Sequence, residues 1–403
     1  MDFKDTPEEA AFRSEVRQWL ADNAQDYRKP LPAGISEEEY IARGRAWQKR
    51  KAEAGYAAIC WPLSEGGLDG TSMQEMIFAE EESRFHVPVG PFVTIGTSLA
   101  VPTIRTHGKP EQIERFSRPT LEGDILWCQL FSEPGAGSDL AALRTRAVKD
   151  GDDWVVNGQK VWTSWAHVAD WGIMVARTDT HVPKHKGLTY FLVDMKAQGI
   201  DVRPIPQISG ESEFNEVFLT DVRIPDTHRL GEVGEGWKCA MTTLMNERGS
   251  VGGESSALPE TSEVARLAAK VPGMLEAHEM ALAKAMAREQ GLKYFRFRML
   301  TALSRGEAPG PIAGMSKYVY ANLLQDISAM ALDMHGIEGL YPDPQRQDEM
   351  ARLQHGYFWG AAVRIAGGAD EILLNQIAER VLGLPGEIRL DKNVPFSELP
   401  SGR

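Results

Sequence analysis

Cysteine is scarce in this chain, which has three cysteines among 403 residues. Cys60, Cys128 and Cys239 are far apart and show neither Cys-x-x-Cys spacing nor the Cys/His spacing of a zinc site. One disulfide among them stays open, but so few cysteines favour buried thiols in a reducing compartment. No apolar run approaches the roughly 20 residues that a membrane-spanning helix needs, and the acidic, amphipathic N-terminus is unlike a signal peptide. We therefore expect a cytoplasmic protein with no membrane span, and the histidine spacing predicts no metal.

Basic residues are also in the minority, with 44 Lys and Arg against 57 Asp and Glu and a formal net charge of −13. This charge, with basic residues scattered along the chain, disfavours nucleic acid or an anionic membrane as the main partner. The sequence lacks a Gly-x-Gly-x-x-Gly fingerprint after a strand, and it lacks a Gly-Lys-Ser/Thr phosphate loop. The commonest nucleotide-binding motifs are thus excluded, and a polyphosphate ligand would need a local basic or N–H-rich pocket.

The order of secondary structure predicts the fold class. A chain of this length favours two or three subdomains, and its composition, 42% hydrophobic and 25% charged, is that of a globular protein. Apolar residues recur at helical spacing before about residue 118, short β-rich runs follow, and helical spacing returns after Gly234. The absence of alternating βαβ units argues against a doubly wound fold. We predict an α+β fold with an N-terminal helical domain, a central β-barrel or sandwich domain and a C-terminal helical bundle, over residues 1–126, 127–234 and 235–403.

Individual elements can be predicted within this order. Asp153–Ser164 contains two β-rich runs about Asn157-Gly158, which predicts a hairpin with its turn at that pair. A Gly/Ser-rich stretch at 249–258 predicts a loop. Further strands are predicted at 172–176, 188–193, 202–205 and 216–224, and helices at 236–249, 275–304, 317–334 and 371–382.

The segment Gln129–Asp139 reads QLFSEPGAGSD. Its Pro and Gly residues predict a turn that exposes backbone N–H groups beside two hydroxyls, which suits an anion or the edge of a ring. A Gly/Ser segment of this kind is by itself more often an ordinary surface turn. A second segment, Asn157–Ser164 (NGQKVWTS), follows it.

Together the two segments resemble the paired signature of the acyl-CoA dehydrogenase family. The resemblance covers the whole chain and implies the three-part fold described above, an FAD cofactor and an acyl-CoA substrate. It extends to Trp61-Pro62 with Gly66-Gly67, to Phe214–Leu219 and to Glu379–Gly383.

The resemblance implies roles for residues of the two segments. A redox-active ring needs aromatic packing and donors at the edge where reduction places negative charge. Trp162 matches the indole beside the flavin ring, and Ser164 matches the hydroxyl that hydrogen-bonds flavin N5. A single tryptophan is more often core packing, so only its place in the motif supports this role. The remaining positions that match cofactor contacts are Gln129, Phe131, Ser132 and Ser138, of which Ser138 also matches a substrate-side position.

Removal of a proton next to a thioester carbonyl requires a carboxylate in a dry pocket. In many family members this Glu stands just before a late helix, where this chain has Gly367. Other members place it after the β-domain and before an Arg, which here implies Glu247 as the base and Arg248 as a substrate-binding residue. An arbitrary Glu-Arg pair is usually a solvated helix surface. Gly367 remains a candidate backbone donor to the substrate carbonyl, and the adjacent Ala369 and Glu371 are expected to bind the cofactor.

The far half of the cofactor site departs from the family pattern. Thr261–Met280 lacks the expected Arg-x-x-x-Phe-Gly segment, and Asp333 replaces a Gln. The resemblance is greatest to bacterial members that act on steroid side chains or other bulky acyl groups, some of which are mixed oligomers. We therefore expect a homo- or hetero-oligomer, a dimer of dimers. For a heterotetramer, we expect this chain to be the base-bearing subunit.

Three functions remain open from the sequence. The first is dehydrogenation of an acyl-CoA to a trans-2-enoyl-CoA, with electrons passed to an electron-transfer flavoprotein. An acyl-CoA oxidase or flavin monooxygenase on the same fold differs in whether oxygen reaches the reduced flavin. A non-catalytic structural subunit would retain the fold alone, but it would have no need of both Glu247 and the flavin-ring segments.

Overall fold

The computed structural model describes residues 5–29, 31, 35–250, 260–305, 310–340, 349–388 and 391–400, without the side chains of 247–250, 300, 303, 304, 338, 349 and 351. The helices before the sheet are α1 (Pro7–Asn23), α2 (Glu37–Glu53), α3 (Ser72–Glu82), α4 (Val101–His107), which continues a π-helical segment at Phe92–Ala100, and α5 (Pro110–Leu121). The helices after it are α6 (Gly236–Ser250), α7 (Thr261–Ala268), α8 (Met274–Ser304), α9 (Gly314–His335), α10 (Ile337–Leu340), α11 (Glu349–Val363) and α12 (Asp370–Arg380). The α–β–α order predicted from the sequence is confirmed.

Local sequence explains where the first helix begins and which face it buries. Thr6 caps α1, because its hydroxyl accepts the N–H of Glu9 while the Glu9 carboxylate accepts the N–H of Thr6. Pro7 occupies the first helical position, where no N–H is needed. The buried side chains recur every four residues, at Phe12, Val16 and Leu20.

Within the described residues, eight strands form one hydrogen-bonded sheet in the order β6-β7-β3-β2-β4-β5-β8, with β1 beside β4. Their bounds are β1 Trp127–Leu130, β2 Arg146–Asp150, β3 Asp153–Ser164, β4 Trp171–Arg177, β5 Leu188–Asp194, β6 Ile200–Pro204, β7 Phe214–Pro225 and β8 Arg229–Leu230. Most pairs are antiparallel, but β1–β4 and β2–β4 are parallel. The β2–β4 pairing joins two halves of the sheet through Arg146 and Arg177.

Alternation of side chains along β1, β4 and β5 gives these strands two buried faces. On one face, Ile173 and Tyr190 belong to a core shared with the π-helical segment, α4, α5 and α6. On the other, Met174 and Phe191 pack in a core that also takes Val156 and other side chains of β2, β3 and β7. β1, β4 and β5 therefore share this second core with β2, β3 and β7, as in the sandwich form of the predicted β-domain.

The predicted hairpin at Asn157-Gly158 is wrong. β3 is one strand that runs through this pair, and the turn lies at Gly151-Asp152, where β2 leads into β3. Long-range pairing of β3 with both β2 and β7 outweighs the local turn preference. Glycine at position 158 instead avoids a steric clash with Thr145, since a Cβ there would lie 2.4 Å from the Thr145 Oγ1.

The prediction that all three cysteines are buried is wrong for Cys60, which is exposed, whereas Cys128 and Cys239 are buried free thiols. Of the predicted loop at 249–258, residues 249 and 250 belong to α6, and 251–258 lie outside the described residues. In the described part of the chain, no helix combines the length and the apolar character needed to cross a membrane.

The chain divides into two compact units. One contains residues 1–35, 70–86 and 248–386, and the other contains 36–69, 87–247 and 387–403. The whole sheet and both candidate flavin segments belong to the second unit, whereas α7–α12 belong to the first. The bounds of the three domains expected from the sequence remain a prediction.

Candidate functional site

The first candidate flavin segment is a tight turn at the end of β1. Glu133 and Ala136 exchange two backbone hydrogen bonds of 3.0 Å, with Pro134 and Gly135 at the corner. Neither Gly135 nor Gly137 has a positive φ, and a Cβ added to either would meet no atom within 4 Å. The described chain therefore does not require glycine at these positions. Glycine leaves the backbone open to the close approach of a ligand.

A buried lysine joins the two candidate segments. The Lys160 side chain on β3 is 0% exposed. Its Nζ donates to the carbonyls of Phe131 at 3.0 Å and Val175 at 2.9 Å, and it forms an ion pair with the Glu133 carboxylate at 2.9 Å. The backbone N–H of Val161 also donates to the Ser132 carbonyl at 2.9 Å. These bonds hold the turn against β3.

Glu133 holds the same turn against the chain that leads into β2. Its carboxylate accepts the backbone N–H groups of Arg144 at 2.6 Å and Thr145 at 2.9 Å. Burial by itself raises the pKa of Glu133, but Lys160 and the two N–H donors outweigh burial and hold that pKa below its ordinary value. Burial lowers the pKa of Lys160, while Glu133 opposes this shift. The pair is thus a charged, fully hydrogen-bonded anchor.

Trp162 lies at a bulge in β3. Between the pairs Lys160–Val217 and Thr163–Asn215, β3 advances by one residue more than β7. Trp162 has a φ of 59°, which bulky residues rarely adopt, and it is 59% exposed. Its ring and that of Phe214 form an edge-to-face pair, with centroids 6.1 Å apart. A bulge re-aims a side chain, and here it presents an indole away from the core.

The other predicted ring contacts lie in the same compact unit. Phe131 is buried and packs edge-on against Tyr190, whereas Gln129, Ser132 and Ser164 are partly exposed. The Ser132 and Ser164 hydroxyls make no hydrogen bond to the described residues, so each is available to a ligand. Ser138 is exposed on the turn. The next residue, Asp139, forms a 2.8 Å ion pair with Lys184, whose other partner is Asp391 at 2.5 Å.

Helix α6 carries the predicted base. Glu247 and Arg248 belong to its C-terminal part, and their side chains lie outside the described residues. One helical turn earlier, the buried Thr243 hydroxyl bonds the Tyr190 hydroxyl at 3.0 Å and the Thr103 hydroxyl at 2.9 Å. This polar network sets the rotation of α6 against β5 and α4.

A second turn, in the other unit, presents Gly367. Gly367 and Gly368 have φ values of 63° and 100°, which favour glycine. The buried Lys317 donates to the Gly368 carbonyl at 2.7 Å, and the buried Asp370 accepts from Arg364 Nε at 2.8 Å. The N–H of Gly367 has no acceptor among the described residues. Of the neighbouring predicted residues, Ala369 is the N-cap of α12 and Glu371 is exposed in its first turn.

The structure thus brings Phe131, Ser132 and Trp162 onto one anchored framework. Sequence reasoning missed Lys160 and Glu133, although both lie inside the quoted motifs. A charged residue of each sign within two apolar, Gly-rich segments is the signal that could have revealed this pair. Asp333, at the position where the resemblance implies a Gln, is exposed on α9.

Comparison with known proteins gives consistent matches along the chain. Three family models match the chain. They are described as the acyl-CoA dehydrogenase N-terminal, middle and C-terminal domains, and they match residues 6–124, 128–222 and 234–382, respectively. Acyl-CoA dehydrogenase IpdE1 of Mycolicibacterium smegmatis is 39% identical over 396 residues, which cover 94% of this chain and 98% of that protein. The ChsE4-ChsE5 complex from Mycobacterium tuberculosis is similar in structure, with a TM-score of 0.81 and 28% identity over 96% of this chain and 100% of the matched chain. A structure described as the Tcur3481-Tcur3483 steroid ACAD has a TM-score of 0.78 and 26% identity, again over 96% and 100%.

Proposed function

Because this chain belongs to the acyl-CoA dehydrogenase family, we propose that it catalyses FAD-dependent dehydrogenation of an acyl-CoA to a trans-2-enoyl-CoA. The observation that carries the proposal is the exposed indole of Trp162, held in a left-handed bulge beside an open glycine turn. Strain of this kind persists where the surrounding structure over-determines it, and it clusters at functional sites.

The residues around this bulge fit a flavin. Trp162 offers an aromatic face, the Ser132 and Ser164 hydroxyls have no hydrogen-bond partner among the described residues, and the turn at Gly135 leaves space for close approach of a ligand. When bound, FAD supplies the acceptor for the hydride that leaves the β-carbon of the substrate. Gln129, Phe131 and Ser138 complete the proposed contacts on this turn, and Ala369 and Glu371 are further proposed contacts from α12.

Glu247 is the proposed base, which removes the α-proton of the acyl group. A glycine occupies position 367, so no carboxylate is available there. The Gly367 N–H, which no described residue accepts, is the proposed donor to the thioester carbonyl oxygen, where it stabilises the charge that builds as the α-proton leaves. Arg248 is proposed to position the substrate.

The proposal extends to partners. Electrons leave through an electron-transfer flavoprotein, and the chain forms the base-bearing half of a mixed oligomer. Asp333 in place of the family Gln, together with the missing Arg-x-x-x-Phe-Gly segment, supports a second kind of subunit that completes the FAD site. The similar structure of the ChsE4-ChsE5 complex contains two kinds of chain by its description, and the structure described as a steroid ACAD supports a bulky, steroid-like acyl group.

Anaerobic mixing of the purified protein with acyl-CoAs tests the reaction. We expect straight-chain thioesters to bleach the flavin poorly and steroid-bearing ones to bleach it rapidly, without peroxide release in air. Glu247→Gln should lower turnover by a factor on the order of 10³ or more while FAD stays bound. Glu235→Gln, an exposed carboxylate just before α6, is the matched control and should retain activity.

Three results would contradict the proposal. Nearly normal turnover of Glu247→Gln would remove the base assignment. Rapid peroxide formation without an added acceptor would indicate an oxidase. A homotetramer with one tightly bound FAD per chain, after expression of this chain alone, would exclude the shared cofactor site.

A further inference from the structure

The segment Trp162–Trp165 is strained at both ends. Trp162 has a φ of 59° and Trp165 has a φ of 60°, both in the left-handed region. Bulky aromatic residues rarely adopt this conformation, which costs about 1–3 kcal/mol for each residue. Thr163 and Ser164 between them pair with β7 as ordinary strand residues. Something in β7 must therefore hold this short segment in place.

Asn215 makes the connection. It lies on β7 directly opposite Thr163 and is 0% exposed. Its side-chain Nδ2 donates to the Thr163 carbonyl at 3.0 Å and to the Glu213 carbonyl at 2.9 Å. The Glu213 carbonyl also accepts the backbone N–H of Trp165 at 2.9 Å. The Asn215 amide thus links the Thr163 carbonyl, in the middle of the strained segment, to the Glu213 carbonyl. The Glu213 carbonyl in turn holds Trp165, at the end of that segment.

The orientation of this amide is determined by its partners. Rotation by half a turn would place Oδ1 against two carbonyl oxygens, which have no proton to donate. In the observed orientation, Oδ1 is buried and has no hydrogen-bond partner among the described residues. An unpaired buried acceptor costs about 1–3 kcal/mol. The unpaired Asn215 Oδ1 is therefore the cost of an orientation in which Nδ2 binds both carbonyls. Such a cost is expected of a residue whose role is to position the segment and not only to stabilise the fold.

A second bulge in the same strand pair provides a comparison. There Asn157 Nδ2 donates to the Asp221 carboxylate and Asn157 Oδ1 accepts the Asp221 N–H, both at 2.9 Å. This second bulge is exposed, and its left-handed residue is Asp221, a type that adopts this conformation more readily. Asn157 thus also bridges β3 and β7 through its side-chain amide, at a position before Trp162 on β3.

We propose that Asn215 is a positioning residue, which fixes the Trp162 indole and the Ser164 hydroxyl in the arrangement that receives the flavin ring. The inference rests on the proposed function for its flavin part. Its structural part, control of the Trp162–Trp165 segment by Asn215, holds for the FAD-free chain as well.

Fluorine NMR of the full chain labelled with 5-fluorotryptophan separates these two parts. The chain has ten tryptophans, and Trp162→Phe and Trp165→Phe assign the two resonances of interest. Without FAD, Asn215→Ala should shift or broaden both resonances, whereas Asn157→Ala should leave them in place. On titration with FAD, Asn215→Ala should raise the dissociation constant about tenfold, as expected for loss of one or two hydrogen bonds.

Asn215→Thr provides a second variant in case Asn215→Ala does not fold. Its hydroxyl donates one hydrogen bond where Asn215 donates two, so shifts smaller than those of Asn215→Ala are expected. Unmoved Trp162 and Trp165 resonances in a folded Asn215 variant would overturn the inference, and so would equal shifts in Asn157→Ala. FAD bound by the wild-type chain without any change in the Trp162 and Trp165 resonances would count against the proposed flavin site, while the NMR comparison without FAD would still decide the role of Asn215.

Discussion

Replacement of Lys160 by Met tests whether the buried ion pair anchors the candidate flavin turn. Met keeps the unbranched shape but removes three hydrogen bonds, to the carbonyls of Phe131 and Val175 and to the Glu133 carboxylate. Glu133 then remains buried with a full charge and only its two backbone N–H donors. Breaking a buried pair by removal of one partner costs about 3–5 kcal/mol.

Hydrogen–deuterium exchange of the full chain measures this loss locally. Peptides that cover 129–139 and 157–165 should exchange roughly 10²- to 10³-fold faster in Lys160→Met, since each 1.4 kcal/mol corresponds to about tenfold in the opening equilibrium. Lys317→Met is the matched control, because Lys317 is equally buried and its ion-pair partner is Asp370. It should leave exchange in 129–139 unchanged.

A double variant and a pH series sharpen the test. Adding Glu133→Gln to Lys160→Met removes the unpaired charge and should recover at least 1 kcal/mol, roughly, of the lost stability. In the wild type, the lowered pKa of Glu133 stabilises the folded state at pH values above the ordinary Glu pKa. This stabilisation is lost as the pH falls through the pKa that Glu133 has in the folded state. In Lys160→Met, burial dominates and raises the pKa of Glu133. Acidification to about pH 4 should therefore reduce the difference in exchange rate between this variant and the wild type. Unchanged exchange in Lys160→Met, or fully additive losses in the double variant, would refute the reasoning.

Two further predictions concern glycine and cysteine positions. Gly158→Ala should lower the free energy of unfolding by about 1–3 kcal/mol, because its Cβ would lie 2.7 Å from the Thr145 Cα. Gly135→Ala, which meets no atom within 4 Å, should stay within about 0.5 kcal/mol of wild type, and equal melting temperatures for the two would contradict the clearance argument. Titration with Ellman's reagent at neutral pH should find one fast thiol per chain, which Cys60→Ser removes, and three fast thiols would contradict the burial of Cys128 and Cys239. Burial raises the pKa of the Cys239 thiol to about 11, so little reactive thiolate forms there.

Much of the fold follows from local pattern. Strands predicted at 172–176 and 188–193 appear as β4 and β5 because apolar runs bounded by turn residues leave few alternatives. The predicted helix at 275–304 appears as α8, Met274–Ser304. Local pattern failed at Asn157-Gly158, where the turn preference of two residues competes with strand partners on both sides of β3.

By itself, the sequence determined the family resemblance, the α–β–α order and the candidate flavin segments, since these depend on residue types at short spacing. Only the tertiary structure showed that Lys160 reaches across to Glu133, that a bulge turns Trp162 outward and that Asn215 holds the strand beside it. Each of these features joins residues at least 27 positions apart or depends on strand register. Such contacts depend on which strands pair, and strand pairing is decided when the whole sheet forms around its shared core.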